Sequence, residues 1–134
     1  MLMPKKVKHR KWRKGRSKEV ESRGTQLAFG SFGLKSLGTR WVSGRQLEAA
    51  RRVILRYLKK GGKLWIRVFP DKPVTKKGTE VPMGGGKGSV DHYAFPLKPG
   101  RIIFELDGLK EEIAREAFKM AATKFPVKTK IIKR

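Results

Sequence analysis

Apolar residues recur at helical spacing in the segment 44–60 and predict an amphipathic helix there. Ser43 and Gln46 form a capping-box pattern at its start, and the glycines at 61 and 62 predict its end. The face expected to enter a core carries Leu47, Ala50, Val53, Ile54, Tyr57 and Leu58. The opposite face of the helical wheel carries Arg45, Arg52, Arg56, Lys59 and Lys60.

A second helix is predicted at 108–124, with Asp107 as its N-cap and Pro126 after its end. Its outer face has mixed charge, which is typical of a solvent-exposed surface. The stripe expected to face the core is Leu109, Ile113, Ala117, Met120 and Ala121.

Apolar and polar residues alternate from 63 to 69, which predicts a strand. One side, expected to face the first helix, carries Leu64, Ile66 and Val68. The other side carries Trp65, Arg67 and Phe69. We favour packing of this second row beneath the N-terminal segment or another layer; the alternative is a platform on which nucleic-acid bases stack.

Shorter strands are predicted at 25–29 and 127–132. Two more, at 92–97 and 101–106, flank a Lys-Pro-Gly turn and are expected to form a hairpin. Pro96 places the first of these strands at a sheet edge or a bend. The segment 70–91 is rich in Gly and Lys and is predicted to be one long loop, and such loops are usually functional or disordered.

These elements predict an α+β protein, a two-layer sandwich with two helices on one face of a mixed sheet. Residues 1–24 form a basic N-terminal extension, and residues 25–134 form one domain from which the loop 70–91 projects. The extension contains few apolar residues to offset its ordering entropy. In isolation it is therefore expected to be disordered or loosely attached.

Charge identifies the class of partner. The 34 Lys and Arg residues stand against 11 Asp and Glu, a formal net charge of +23. A compact chain with this charge repels itself unless a polyanion is nearby, and nucleic acid is the polyanion that fits. Solubility alone is usually served by a net charge of about 2–8.

The cations gather in the extension, on the outer face of the first helix and in the long loop. In the extension, the residues expected to contact nucleic acid are Lys5, Lys6, Lys8, Arg10, Lys11, Trp12, Arg13, Lys14 and Arg16. Trp12 is included because an aromatic ring among cations can stack on a base. On the helix, the expected contacts are Arg45, Arg52, Arg56, Lys59 and Lys60. In the loop, the glycines at 84, 85, 86 and 88 allow close approach of the backbone to a ligand.

The sequence shows no catalytic or metal site. Cysteine is absent, and His9 and His92 have no metal-ligating partners at suitable spacing. A P-loop is excluded because Val81 stands where that motif needs glycine. We therefore expect no enzyme, no metal and no cofactor. No apolar run approaches the ~18 residues of a transmembrane helix, so a soluble intracellular protein with no membrane contact is expected.

Three functions are compatible with this positive charge. Binding to structured RNA is favoured, because an extended tail and loop can thread between packed RNA helices. A DNA-compacting protein is the first alternative, although no helix-turn-helix pattern or dimerisation heptad is present. An RNA-modifying enzyme would need an acid, base or nucleophile that the sequence does not show.

Several motifs, in order along nearly the whole chain, resemble the bacterial large-subunit ribosomal protein family sixteen. The two most specific are Phe-Pro-Asp-Lys-Pro at 69–73 and Met-Gly-Gly-Gly-Lys-Gly at 83–88. The opening Met-Leu-Met-Pro-Lys, the segment 29–34, the Arg-Gln-Leu-Glu-Ala-Ala-Arg-Arg run at 45–52, and the segments 98–101 and 114–117 fit as well. The resemblance departs at Pro82, where family members often carry Arg.

This resemblance implies an α+β ribosomal protein that binds large-subunit rRNA near the A site and supports subunit assembly and tRNA positioning. It implies contact with A-site tRNA and leaves contact with P-site tRNA open. It also implies contact with neighbouring ribosomal proteins and no homo-oligomer. The location implied is the cytoplasmic ribosome, with an organellar ribosome as the alternative. The loop would project toward the tRNA, with Lys76, Lys77, Met83, Gly84, Gly85, Gly86, Lys87, Gly88 and Ser89 nearest to it.

Overall fold

The computed structural model describes residues 1–58 and 61–134. Within these ranges the elements follow the order strand, strand, helix, four strands, helix, strand. Their bounds are β1 Phe32–Ser36, β2 Arg40–Ser43, α1 Gly44–Leu55, β3 Lys63–Ile66, β4 Lys72–Lys76, β5 Ser89–Leu97, β6 Ile102–Asp107, α2 Glu111–Ala122 and β7 Thr129–Lys133.

The strands form two sheets, one in the order β3-β6-β1-β7 and one in the order β2-β5-β4. Every strand pair among the described residues is antiparallel. The α+β class is therefore confirmed, while the single mixed sheet is replaced by two antiparallel ones.

The predicted hairpin between 92–97 and 101–106 is wrong. β5 pairs with β2 and β4, whereas β6 pairs with β1 and β3. The Lys-Pro-Gly turn between them carries the chain from one sheet to the other, and Gly100 N donates to Ser36 O at 2.8 Å. β5 is the central strand of its sheet, so Pro96 does not mark an edge strand. The pairing of β5 with β4 extends only to Ala94. At Pro96, β5 therefore pairs only with β2.

Helix α1 begins where the capping box predicts. Ser43 Oγ accepts from Gln46 N at 3.2 Å, and Ser43 N donates to Gln46 Oε1 at 3.0 Å. Leu47, Ala50 and Ile54 are buried against the core, as expected from the apolar spacing. The regular helix ends at Leu55, earlier than predicted, and Lys59 and Lys60 lie outside the described residues.

Helix α2 begins later than predicted, and Asp107 does not cap it. The N-cap is Lys110, whereas Asp107 Oδ1 accepts from Gly108 N and from Ser31 Oγ. The buried face is Ala114, Ala117, Phe118 and Ala121. Met120, expected in the core, is 48% exposed, because the large ring of Phe118 sets which side of the helix is buried.

The strand predicted at 25–29 is absent, and β1 forms instead in the glycine-containing segment that follows. Gly33 allows the segment before β1 to pack directly on that strand. A Cβ at this position would collide with the Leu27 side chain, so the missing side chain lets the segment around Leu27 cross over β1. The alternating strand is confirmed for Lys63–Ile66, and Leu64, Ile66 and Val68 face the core.

Candidate RNA-binding surface

The basic extension, residues 1–24, contains neither helix nor strand and is attached to the domain by hydrogen bonds. Lys72 Nζ, on β4, donates to the carbonyl oxygens of Arg13 at 3.1 Å and Lys14 at 2.6 Å. Further along, Glu21 N donates to Pro99 O at 2.9 Å. The extension therefore lies over the sheet that contains β4.

Lys72 is a buried cation. It is 7% exposed, and its Nζ lies 4.9 Å from the ring centroid of Trp41 and 5.8 Å from that of Trp12. Among the described residues no carboxylate pairs with it. Burial, and then the nearby Lys87 ammonium, lowers the pKa of Lys72. Two aromatic faces and two carbonyls therefore take the place of a counter-ion.

The predicted phosphate-binding cations of the extension are exposed. Within the described ranges, none of them forms a salt bridge with a carboxylate. Trp12 is 39% exposed, so part of its ring remains accessible beside Lys72. The exposed cations are Lys5, Lys6, Lys8, Arg10, Lys11, Arg13, Lys14 and Arg16.

The outer face of α1 is less uniformly cationic than its sequence indicates. Arg45, Arg52 and Arg56 are exposed. Glu48, however, accepts from Arg51 at 2.5 and 2.9 Å and from Arg52 at 3.2 Å. The Arg51 hydrogen bond is the largest cause of the low pKa of Glu48, about 2. Arg45 and Arg56 are thus the described cations of this face without an ion pair.

The start of α1, the base of the long loop and the first residues of the chain meet at one cleft of about 640 Å³. Arg45 and Lys76 bring positive charge to it. Asp91 accepts from His92 Nδ1 at 2.7 Å, and this bond, with the Lys76 and Arg45 charges, lowers the pKa of Asp91. No local pattern predicts that Met1 to Met3 lie beside Lys76 and Arg45, because these segments are distant along the chain.

The long loop is shorter than predicted. β4 and the first three residues of β5 lie within the segment 70–91, and Lys76 pairs with Ser89 in the ladder. The loop itself is 77–88, so Lys76 and Ser89 belong to its base. Its tip, residues 83–86, is open: Met83 is 100% exposed, and nothing lies within 4 Å of a Cβ built on Gly84, Gly85 or Gly86.

The loop tip requires glycine for backbone reasons. The φ angles of Gly84, Gly85 and Gly86 are +98°, +76° and +105°, a region that other residues rarely adopt. Lys77 Nζ donates to Gly84 O at 2.8 Å and holds one side of the tip.

The extension and the loop also contact each other. Lys11 Nζ donates to Lys87 O at 3.0 Å, and Lys87 Nζ donates to Trp12 O. Each segment thus donates a lysine hydrogen bond to a backbone carbonyl of the other, although the two segments are about 75 residues apart in the sequence. Nothing local in either segment predicts this pairing.

A second buried charge orients the segment that follows the extension. Glu105 Oε1 accepts from the backbone N–H groups of Ala28 at 3.0 Å, Phe29 at 2.9 Å and Gly30 at 3.0 Å. Its Oε2 pairs with Arg67. Phe29 stacks on Trp65 with centroids 5.9 Å apart. Trp65 and Arg67 therefore pack beneath a neighbouring segment, which confirms the interpretation favoured from the strand pattern; Phe69 stays exposed.

Neither a metal site nor a membrane segment is found in the part of the chain that the structure describes. No group of three or more His, Cys, Asp or Glu residues there could hold a metal ion. No described helix is both long and apolar enough to cross a membrane.

Comparison with known proteins gives a consistent match. Residues 4–132 match the family model described as ribosomal protein L16p/L10e. The chain is 56% identical over 134 residues to the large ribosomal subunit protein uL16 of Halorhodospira halophila, covering 100% of this chain and 98% of that protein. It is 54% identical over 134 residues to the uL16 protein of Porphyromonas gingivalis, covering 100% of this chain and 93% of that protein.

Proposed function

The chain belongs to the ribosomal protein L16p/L10e family of the large ribosomal subunit, and on that premise we propose that it binds rRNA near the A site and contacts A-site tRNA. As a family member it is a structural ribosomal protein and not an enzyme, and its partners are rRNA and other ribosomal proteins. The extension and α1 would bind rRNA, and the loop would approach the tRNA.

The observation that carries the rRNA proposal is a run of exposed cations, none of them in an ion pair with a described carboxylate, along a segment with no regular structure. Each phosphate neutralised by Lys or Arg releases counterions, so an extended row of cations binds a nucleic-acid backbone strongly. The residues proposed to bind rRNA are Lys5, Lys6, Lys8, Arg10, Lys11, Trp12, Arg13, Lys14, Arg16, Arg45, Arg52, Arg56, Lys59 and Lys60.

The loop differs from the extension in a way that supports a separate role. Two paired strands define its base, while its tip is open and carries an exposed Met83 beside three glycines. Such a tip can come within reach of an RNA backbone without side-chain obstruction. The residues proposed to lie nearest the tRNA are Lys76, Lys77, Met83, Gly84, Gly85, Gly86, Lys87, Gly88 and Ser89. Contact with P-site tRNA is a further proposal for the same tip.

Helix α2 has a different surface, which we propose is not used for RNA. Glu111 accepts from Arg115 at 3.1 Å and from Lys133 at 3.0 Å, so cations on this side are partly neutralised. These pairs lower the pKa of Glu111, with the Lys133 bond as the largest cause. Phosphates are expected to prefer the exposed cations of the extension. We also propose that the protein acts as one copy per particle and not as a homo-oligomer.

Ultraviolet crosslinking in cells, followed by sequencing of the attached nucleic acid, tests this proposal. We expect crosslinks concentrated in a few helices of large-subunit rRNA, with tRNA joined through the loop. The DNA-compaction alternative would instead give crosslinks scattered over chromosomal DNA. Crosslinks spread over RNA without ribosomal enrichment would contradict the proposal.

A further inference from the structure

The extension and the loop are joined by hydrogen bonds from one lysine of each segment. Lys11 and Lys87 each donate a hydrogen bond to the backbone of the other segment, as described above. Lys72, beneath both, holds the carbonyls of residues 13 and 14. We call these hydrogen bonds the extension–loop contact. They connect the proposed rRNA-binding segment directly to the base of the proposed tRNA-proximal loop.

The extension–loop contact contains a buried ammonium, that of Lys72, without a carboxylate partner among the described residues. A buried ammonium is normally paired with a carboxylate, because desolvating an unpaired charge is costly. Lys72 is instead surrounded by Trp12, Trp41, backbone carbonyls and the Lys87 ammonium. Repulsion between the Lys72 and Lys87 ammonium groups opposes the contact in the free protein.

An RNA phosphate backbone would reverse this balance. Phosphates along residues 11–14 neutralise the exposed cations, while Lys72 keeps its bonds to the carbonyls beneath them. The contact is therefore expected to tighten when the extension is occupied by RNA.

We infer that Lys72 and Lys87 couple the extension to the loop, so that rRNA bound along the extension sets the position of the loop tip. This inference rests on the proposed function, since it requires rRNA on the extension. Lys72 acts here as a positioning residue, because it reaches the loop through residues 11–14 and Lys87.

The natural absence of cysteine allows a direct distance measurement. Spin labels are placed on cysteines at the exposed positions His9 and Met83, and the distance distribution is measured by pulsed electron paramagnetic resonance. The full chain is measured alone and with purified large-subunit rRNA. The variants are Lys72→Met and Lys87→Met. The matched control is Lys63→Met, which removes an exposed charge from β3 and, within the described residues, breaks no side-chain hydrogen bond.

In the parent and in Lys63→Met, rRNA is expected to give one narrow distance population. In Lys72→Met and Lys87→Met that population is expected to be lost, leaving a broad distribution with rRNA still bound. A coupling of ordinary allosteric size would change the ratio of ordered to disordered loop by about 5- to 150-fold. Lys87 is exposed, so its replacement tests the contact even where Lys72→Met lowers stability.

A narrow population that survives in both Lys72→Met and Lys87→Met would overturn the inference. The affinity for rRNA, measured on the same labelled samples, tests the proposed function separately. If the parent chain does not bind rRNA, the proposed function is wrong and the coupling with it. If the parent binds but its distribution does not narrow, the coupling alone is wrong.

Discussion

Glu105 on β6, which is buried, forms an ion pair with Arg67, which is partly buried and follows β3 directly. This pair holds the segment that leads from the extension into the domain. Glu105 is fully buried, and its second oxygen accepts the N–H groups of residues 28–30. Arg67 also lies over the ring of Phe29, 5.3 Å from its centroid. One carboxylate thus organises both the start of the domain and the stack of Phe29 on Trp65.

Replacing Glu105 with Leu removes the acceptor for three N–H groups and leaves Arg67 without its partner. Breaking a buried pair by removing one member typically costs about 3–5 kcal/mol. We expect a loss of that order in the free energy of unfolding, measured by urea denaturation. Glu116→Leu, at an exposed site on α2, is the matched control and should change stability little. Equal losses in the two variants would show that the buried pair is not stabilising.

The pH dependence of stability should report the same carboxylate. Burial raises the pKa of Glu105, but the hydrogen bonds from Gly30, Phe29, Arg67 and Ala28 outweigh it, so the folded pKa lies below the ordinary 4.5. Because the folded pKa is depressed, the stabilisation is complete above about pH 4.5 and is lost as pH falls through the folded value.

Glu105→Gln should therefore flatten the fall of unfolding free energy below pH 4.5. Glu48, Asp91 and Glu111 also have lowered pKa values and contribute to the same acid limb. The comparison is consequently the difference between parent and variant at each pH. Parallel curves for the two proteins would contradict the assignment.

Salt dependence should locate the phosphate contacts. Changing Lys5, Lys6, Lys8 and Arg10 to Gln should lower the slope of log affinity against log salt by about four, or roughly one per contact. The matched control changes four exposed lysines near α2: Lys110, Lys119, Lys124 and Lys128. Binding of rRNA measured at several salt concentrations distinguishes the two sets. Equal slopes would show that the extension binds no more phosphates than α2.

The outer face of α1 makes a separate prediction. Reversing Arg52 and Arg56 to Glu should reduce incorporation into large subunits, because two cations become anions facing phosphates. Reversing Arg115 and Lys119 on α2 makes the same charge change and should leave incorporation close to that of the parent. Incorporation is measured by quantitative mass spectrometry of purified particles. A greater defect from the α2 reversal would assign the RNA-facing side to α2.

The structural features predicted correctly are those that depend on residues close together in the sequence. The Ser43–Gln46 box and the apolar spacing placed the start and the buried face of α1, and alternation placed β3. The candidate cations of the extension were identifiable because charge alone marks them. These cations are exposed in the structure, and their role in rRNA binding stays a prediction.

Long-range pairing could not be predicted in the same way. The turn at Lys98-Pro99-Gly100 looks the same whether the next strand returns to the same sheet or crosses to another. Lys72 lies two residues after Pro70 and directly before Pro73, in a segment whose sequence predicts a loop. β4 nevertheless forms there, as an edge strand that tolerates Pro73. The burial of Lys72 and Glu105 depends on partners far along the chain, so no pattern near either residue predicts it.

We propose that the loop tip contacts tRNA while the extension contacts rRNA. A cysteine at Met83, the one cysteine of that variant, can carry an iron chelate that cleaves nearby RNA by hydroxyl radicals. The variant is assembled into ribosomes with A-site tRNA bound, and a cysteine at Glu116 on α2 serves as the control site. We predict cleavage of the A-site tRNA from position 83 and none of that tRNA from position 116. Cleavage confined to rRNA from position 83, with tRNA bound, would contradict the account.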